Sequence, residues 1–130
     1  MMNSVTRVVL ALASVSILAA CGSNGDESID LSPAALEGRG IVRSKGCASC
    51  HGSNGGGGVG PAFVGLAGAE VVLEDGDVVV ADRDYLVESM TDPQAKIVEG
   101  YRLPMPQNEL TAEEIDAIVV YIEALAEVEP

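Results

Sequence analysis

Five consecutive residues, Cys47-Ala48-Ser49-Cys50-His51, constrain this chain more than anything else in it. They form a C-x-x-C-H run, the spacing at which two thiols and an imidazole hold a c-type haem. The thiols add across the porphyrin vinyl groups as thioethers, and two intervening residues let both sulfurs reach one porphyrin edge. The adjacent imidazole then ligates the iron as its proximal ligand. Other uses of the run fit less well. A thioredoxin-like redox pair opens a helix inside a βαβ pattern, whereas glycine-rich sequence follows here. A zinc site needs four ligands, and no second Cys or His pair is present. A structural disulfide between Cys47 and Cys50 leaves His51 unexplained. The expectation is one covalent haem c, attached at Cys47 and Cys50, with iron held by His51.

Composition agrees. Hydrophobic residues make up 48% of the chain but aromatics only 3%, with no Trp, so a core of Val, Leu, Ile and Ala suits a bulky non-protein filler.

His51 is the only histidine, so the sixth iron ligand must be of another type. Met90 and Met105 are the candidates. Met90 lies in a helix-like stretch from Tyr85, where a methionine ordinarily fills a gap in the core. Met105 lies in Leu103-Pro104-Met105-Pro106. Two prolines forbid helix there and hold the backbone extended. A stiff loop can hold a thioether at a fixed distance from iron, so Met105 is the expected ligand. A His/Met pair raises the reduction potential and leaves no open coordination position. That favours electron transfer over oxygen chemistry or gas sensing.

The chain is 130 residues long, enough for one domain of ordinary size. Its first 20 residues read as an address label. Arg7 supplies the only early positive charge, and Val8 to Ala20 is apolar apart from Ser14 and Ser16. This run is shorter than the roughly 20 apolar residues of a membrane span and reads as a secretory signal. It ends in Leu18-Ala19-Ala20-Cys21, which resembles the bacterial lipoprotein signal, where the cysteine receives a diacylglyceryl group and becomes the new N-terminus. The alternative is ordinary cleavage, with Cys21 left as a thiol. The expected organisation is a lipoprotein signal peptide over 1–20, a lipidated flexible tether over 21–32 and one domain over 33–130. Two acyl chains would anchor it stably to a bacterial membrane. The expected location is extracytoplasmic, on the periplasmic side, where bacteria attach haem c.

Loss of Arg7 with the signal leaves six of the 7 Lys+Arg against all 20 Asp+Glu, taking the formal net charge from −13 to −14. Such a surface cannot neutralise phosphates, which excludes nucleic acid as a partner. It suits redox partners with a basic surface.

Local signals place the elements. Ser32-Pro33 opens a helix that continues from Ala34 to Lys45, with Pro at an early helical position. Gly38 and Gly40 weaken it, each by about 1 kcal/mol relative to Ala, unless another helix approaches closely. Gly55 to Gly58 lacks the Gly-Lys-Ser/Thr ending of a phosphate loop and reads as a flexible loop beside the haem edge. Glu70 to Leu73 and Val78 to Val80 flank Glu74-Asp75-Gly76-Asp77, the pattern of a small hairpin. Asp82 caps a helix running to about Met90, closed by Asp92-Pro93. Gln94 to Glu99 forms a short turn. Thr111-Ala112-Glu113-Glu114 is a capping box. Ile115, Ile118, Val119, Ile122 and Leu125 follow it at helical spacing.

Taken together these residues resemble a class I monohaem cytochrome c. The closest resemblance is to the cytochrome c domain fused to subunit II of caa3-type haem-copper oxidases, through most of Gly38 to Leu125. Gly38, Ile41 and Val42 ahead of Gly46-Cys47 resemble the family's N-terminal helix. An aromatic is usual near Val42, so a looser helix contact is expected here. Gly58-Val59-Gly60-Pro61 resembles the glycine-rich turn after the haem motif. The resemblance implies that the Pro61 carbonyl accepts a hydrogen bond from the proximal imidazole. Asp82-Arg83-Asp84-Tyr85-Leu86, Asp92-Pro93, Gly100-Tyr101 and Met105-Pro106 follow the oxidase-domain pattern in order, and Tyr101 is expected to assist a haem propionate. Tyr121-Ile122 and Leu125 resemble the C-terminal helix that packs on the N-terminal one. Nothing upstream resembles the copper-binding domain of subunit II.

The implied fold is all-α, a class I cytochrome c fold wrapped around one haem, with the hairpin as an insertion. The implied role is an electron carrier between respiratory complexes, with a haem-copper oxidase as a candidate partner. A tightly bound cytochrome subunit of a terminal oxidase or periplasmic dehydrogenase is the alternative.

Overall fold

A computed structural model of the chain describes residues 29–126. The expected signal peptide, the lipidation site Cys21, the tether as far as residue 28 and the last four residues lie outside the described residues. No helix among the described residues is long and apolar enough to cross a membrane.

The elements run α1 (Pro33–Ser44), α2 (Ala48–His51), β1 (Glu70–Val72), β2 (Val78–Val80), α3 (Arg83–Thr91) and α4 (Ala112–Ala124). Each longer helix starts on a side chain that accepts a hydrogen bond from an otherwise unpaired backbone N–H. Ser32 accepts from Ala35 at 3.2 Å and Asp82 from Tyr85 at 2.9 Å. Thr111 and Glu114 form the full capping box: the hydroxyl accepts from the Glu114 N–H at 3.3 Å and the carboxylate accepts from the Thr111 N–H at 2.9 Å.

The α1–α4 crossing is the centre of the fold. It closes on Gly38, where an added Cβ would lie 2.0 Å from the Ala117 carbonyl oxygen. Only a residue without a side chain lets the two backbones approach so closely. Gly40 has no such reason, since nothing lies within 4 Å of the corresponding position. The looser contact expected at Val42 is not found. Val42 is 2% exposed, packed in one core with Ile118, Val119, Tyr121, Ile122 and Leu125. With Gly38 drawing the helices together, a valine fills the space that a larger side chain would otherwise occupy. Lys45 then pairs with Glu114 at 2.7 Å, tying the end of α1 to the start of α4. Arg83 joins α3 to α4 through Asp116 and Glu123.

β1 and β2 pair antiparallel with Val71 opposite Val79. The free edge of β1 is also used: the Glu74 N–H donates to the Ile97 carbonyl at 2.8 Å, and the Glu99 N–H to the Val72 carbonyl at 2.9 Å. Val71 and Leu73 turn into the core, while Val72, Val78 and Val80 stay exposed. The result is the expected mostly helical fold with a two-stranded antiparallel hairpin.

Candidate haem site

α2 is a single turn that carries the C-x-x-C-H run directly after α1. Gly46, with φ of 82°, makes the sharp step between the two helices. Cys47 is half-buried, Cys50 is exposed, and both thiols are free. Burial pushes the Cys47 thiol above its usual range.

The glycine-rich stretch after His51 is not the slack loop its composition suggests. The Gly57 N–H donates to the His51 carbonyl at 2.8 Å, and the Gly60 N–H to the Cys50 carbonyl at 3.0 Å. Gly55 accepts from both Phe63 and Val64 at 2.7 and 3.1 Å. A Cβ on Gly55 would meet Leu125 at 2.8 Å, and one on Gly58 would meet the Cys50 carbonyl oxygen at 2.9 Å. These glycines are close-approach residues that fold the loop tightly over α2.

That loop delivers two residues to the imidazole. His51 Nδ1 lies 2.7 Å from the Pro61 carbonyl oxygen. A carbonyl oxygen can only accept, so Nδ1 carries the proton and Nε2 presents its lone pair. Burial also pulls the imidazole pKa below its usual range, although the Pro61 bond opposes this. The ring is therefore neutral and able to bind a metal. Phe63 stacks on it, with centroids 4.4 Å apart and planes inclined by 18°. Phe63 was not among the expected site residues. Its sequence signal is modest: it is the only Phe in the chain, 12 residues after the only His.

Cys47, Cys50, His51, Pro61, Tyr101 and Met105 all line one cavity of about 770 Å³. Its apolar wall comes from three elements distant in sequence: Val71 of the hairpin, Leu86 and Met90 of α3, Ile118 and Ile122 of α4. Both candidate methionines reach it. Met90 is 7% exposed in the core, and Met105 is half-buried against the core edge. Lys45 and Lys96 also line the cavity, each already paired with a carboxylate, Glu114 and Glu88 respectively.

The donor set fits a covalent haem. The cavity lies within the roughly 300–1,000 Å³ range of cofactor pockets. It is walled by aliphatic side chains, with two free thiols and a neutral imidazole of fixed tautomer on its lining. Among the described residues no group of three or more His, Cys, Asp and Glu side chains could hold a metal ion, so a zinc site of that kind is not formed.

A helical fold closed around an apolar cavity, with thiols and an imidazole supplied by one turn, defines a haem-bearing electron carrier. Residues 35–126 match the family model for cytochrome c, and the chain belongs to that family, with covalently bound haem c and electron transfer through it. No curated protein matches the chain.

Proposed function

We propose that this chain is a lipid-anchored, single-haem cytochrome c that passes electrons one at a time between respiratory complexes on the extracytoplasmic side of a bacterial membrane. The observation that carries the reading is the His51–Pro61 bond beside two free thiols on one apolar cavity. Bound haem supplies a one-electron iron couple. Cys47 and Cys50 attach it. His51 binds through Nε2, and Pro61 holds the ring in that tautomer. Met105, on its proline-stiffened backbone, would supply the second iron ligand. Met90 keeps its place in the core. Tyr101, half-buried on the cavity lining, would donate to a propionate. Cys21 carries the lipid and residues 21–32 lift the domain from the surface.

Two substitutions test this reading. Met105→Ala should abolish the long-wavelength sulfur-to-iron band of the oxidised protein, and Met90→Ala should keep it; the reverse pattern moves the ligand to Met90. Cys21→Ala should release the protein from membranes into the soluble extracytoplasmic fraction. Retention of that variant on washed membranes would reject the anchor.

A second reading is a fixed cytochrome subunit, with an oxidase as its complex. It is favoured by the exposed valines of the hairpin, Val72, Val78 and Val80 at 42–57% exposure, in the segment that resembles the caa3 oxidase domains. A stoichiometric partner after detergent extraction selects the subunit; a lone cytochrome selects the shuttle.

A further inference from the structure

The loop around Met105 is unusual in how little of its backbone is held by backbone. Among the described residues, residues 102–110 make no backbone–backbone hydrogen bond, and Pro104 and Pro106 have no N–H to offer. Two side chains take over that task. Gln94 Nε2 donates to the Met105 carbonyl at 3.0 Å. Asn108 Nδ2 donates to the Met90 carbonyl at 2.8 Å, in the last turn of α3. The segment is therefore pinned at the methionine itself to the turn that follows α3, and three residues later to the last turn of α3. Gln94 follows Pro93, which is buried, so its own backbone is anchored. Met105 precedes a proline, which already restricts it to extended conformations. Fixing its carbonyl removes most of the remaining freedom of its Cα, and with it the position from which the thioether reaches out.

We infer that Gln94 is a positioning residue for the Met105 thioether, with Asn108 securing the far end of the same loop. This rests on Met105 being the second axial ligand. Gln94 does not touch the haem. It acts by holding the loop closed, so an external ligand must break the Gln94–Met105 bond as well as displace sulfur.

The test is imidazole titration of the oxidised holoprotein, followed by loss of the sulfur-to-iron band. Gln94→Glu keeps the size of the side chain but removes its donors. It should raise the apparent imidazole affinity about fivefold, the factor that one ordinary hydrogen bond carries. Gln94→Ala should do the same. Both should keep the band before titration and the thermal midpoint of the wild type, since Gln94 is exposed and outside the core. Unchanged imidazole affinity in both variants, with Met105→Ala still abolishing the band, overturns the role of Gln94 and leaves the ligand assignment standing. A midpoint that falls enough to account for the gain in affinity also overturns it, because Gln94 is then merely structural. Survival of the band in Met105→Ala overturns the ligand assignment and the role of Gln94 together.

Discussion

Around the imidazole, space is the controlling quantity. Gly60 lies so close to the His51 ring that a Cβ there would sit 3.1 Å from Cε1, 3.3 Å from Nδ1 and 3.4 Å from Nε2. Gly60→Ala must therefore push the ring, and a displaced ring strains the 2.7 Å Nδ1–Pro61 bond. Weakening that bond makes the imidazole a poorer donor to iron, which favours the reduced state. The expected result is a rise in reduction potential with thioether attachment intact. The scale is about 40 mV for each ~1 kcal/mol by which the bond is worth more to the oxidised than to the reduced state of a one-electron couple. Potentiometric titration of the holoprotein reads this directly, and an unchanged or lower potential would refute it.

Between elements, the two glycines of α1 make opposite predictions from the same substitution. Gly38→Ala drives a methyl group into the Ala117 carbonyl and the Tyr121 Cβ, at 2.0 and 2.8 Å. Backbone cannot move aside without parting the helices, so the cost lies at or above the upper end of the ~1–3 kcal/mol typical of overpacking. Gly40→Ala meets nothing and gains helix propensity, about 0.5–1 kcal/mol of added stability. Denaturant unfolding of the two variants should move the midpoint in opposite directions. The contrast also marks what the sequence makes legible. Ser32, Asp82 and Thr111 announce helix starts because capping is local chemistry, and the β-branched runs around Asp75-Gly76 announce the hairpin for the same reason. The C-x-x-C-H run, too, carries its chemistry within five residues. What was illegible depends on distant neighbours. Gly38 and Gly40 look alike until α4 is in place. The 55–58 stretch reads as slack until Leu125 and the Cys50 carbonyl press on it. Gln94 and Asn108 are ordinary loop residues until the methionine loop folds back on α3.

For the whole molecule, charge and burial set the response to solution conditions. Burial raises the pKa of Tyr85 and of Tyr121, the latter in spite of the nearby Arg39 and Arg43. An unfolded tyrosine titrates near 10. Above that pH the unfolded chain has lost protons that the folded chain keeps, so stability falls as pH rises through the raised folded values. Replacing Tyr85 by Phe should flatten the alkaline limb of a pH-dependent unfolding curve and leave the neutral region unchanged. A limb as steep as the wild type would assign the loss to other groups.

The same balance sheet of charge governs encounter with a partner. The cations Lys45, Arg83 and Lys96 are each already paired with carboxylates, so they add little positive field of their own. Exposed Glu70, Glu99 and Glu109 lie on the lining of the haem cavity, as do the exposed apolar side chains Val59 and Leu103. Exposed acidic and apolar side chains on one cavity lining suit a two-stage encounter: long-range attraction would bring a basic surface to it, and short-range apolar contact would then exclude water. For the proposed basic partner, the bimolecular electron-transfer rate should fall as salt shortens the Debye length from about 30 Å at 0.01 M to about 8 Å at 0.15 M. Converting Glu70, Glu99 and Glu109 together to Gln should lower the rate at low salt and flatten its dependence on ionic strength. Stopped-flow kinetics with a basic redox protein measures both. A triple variant that keeps the wild-type salt slope would place the steering field elsewhere on the acidic surface, and a wild-type rate indifferent to salt would remove electrostatic steering altogether.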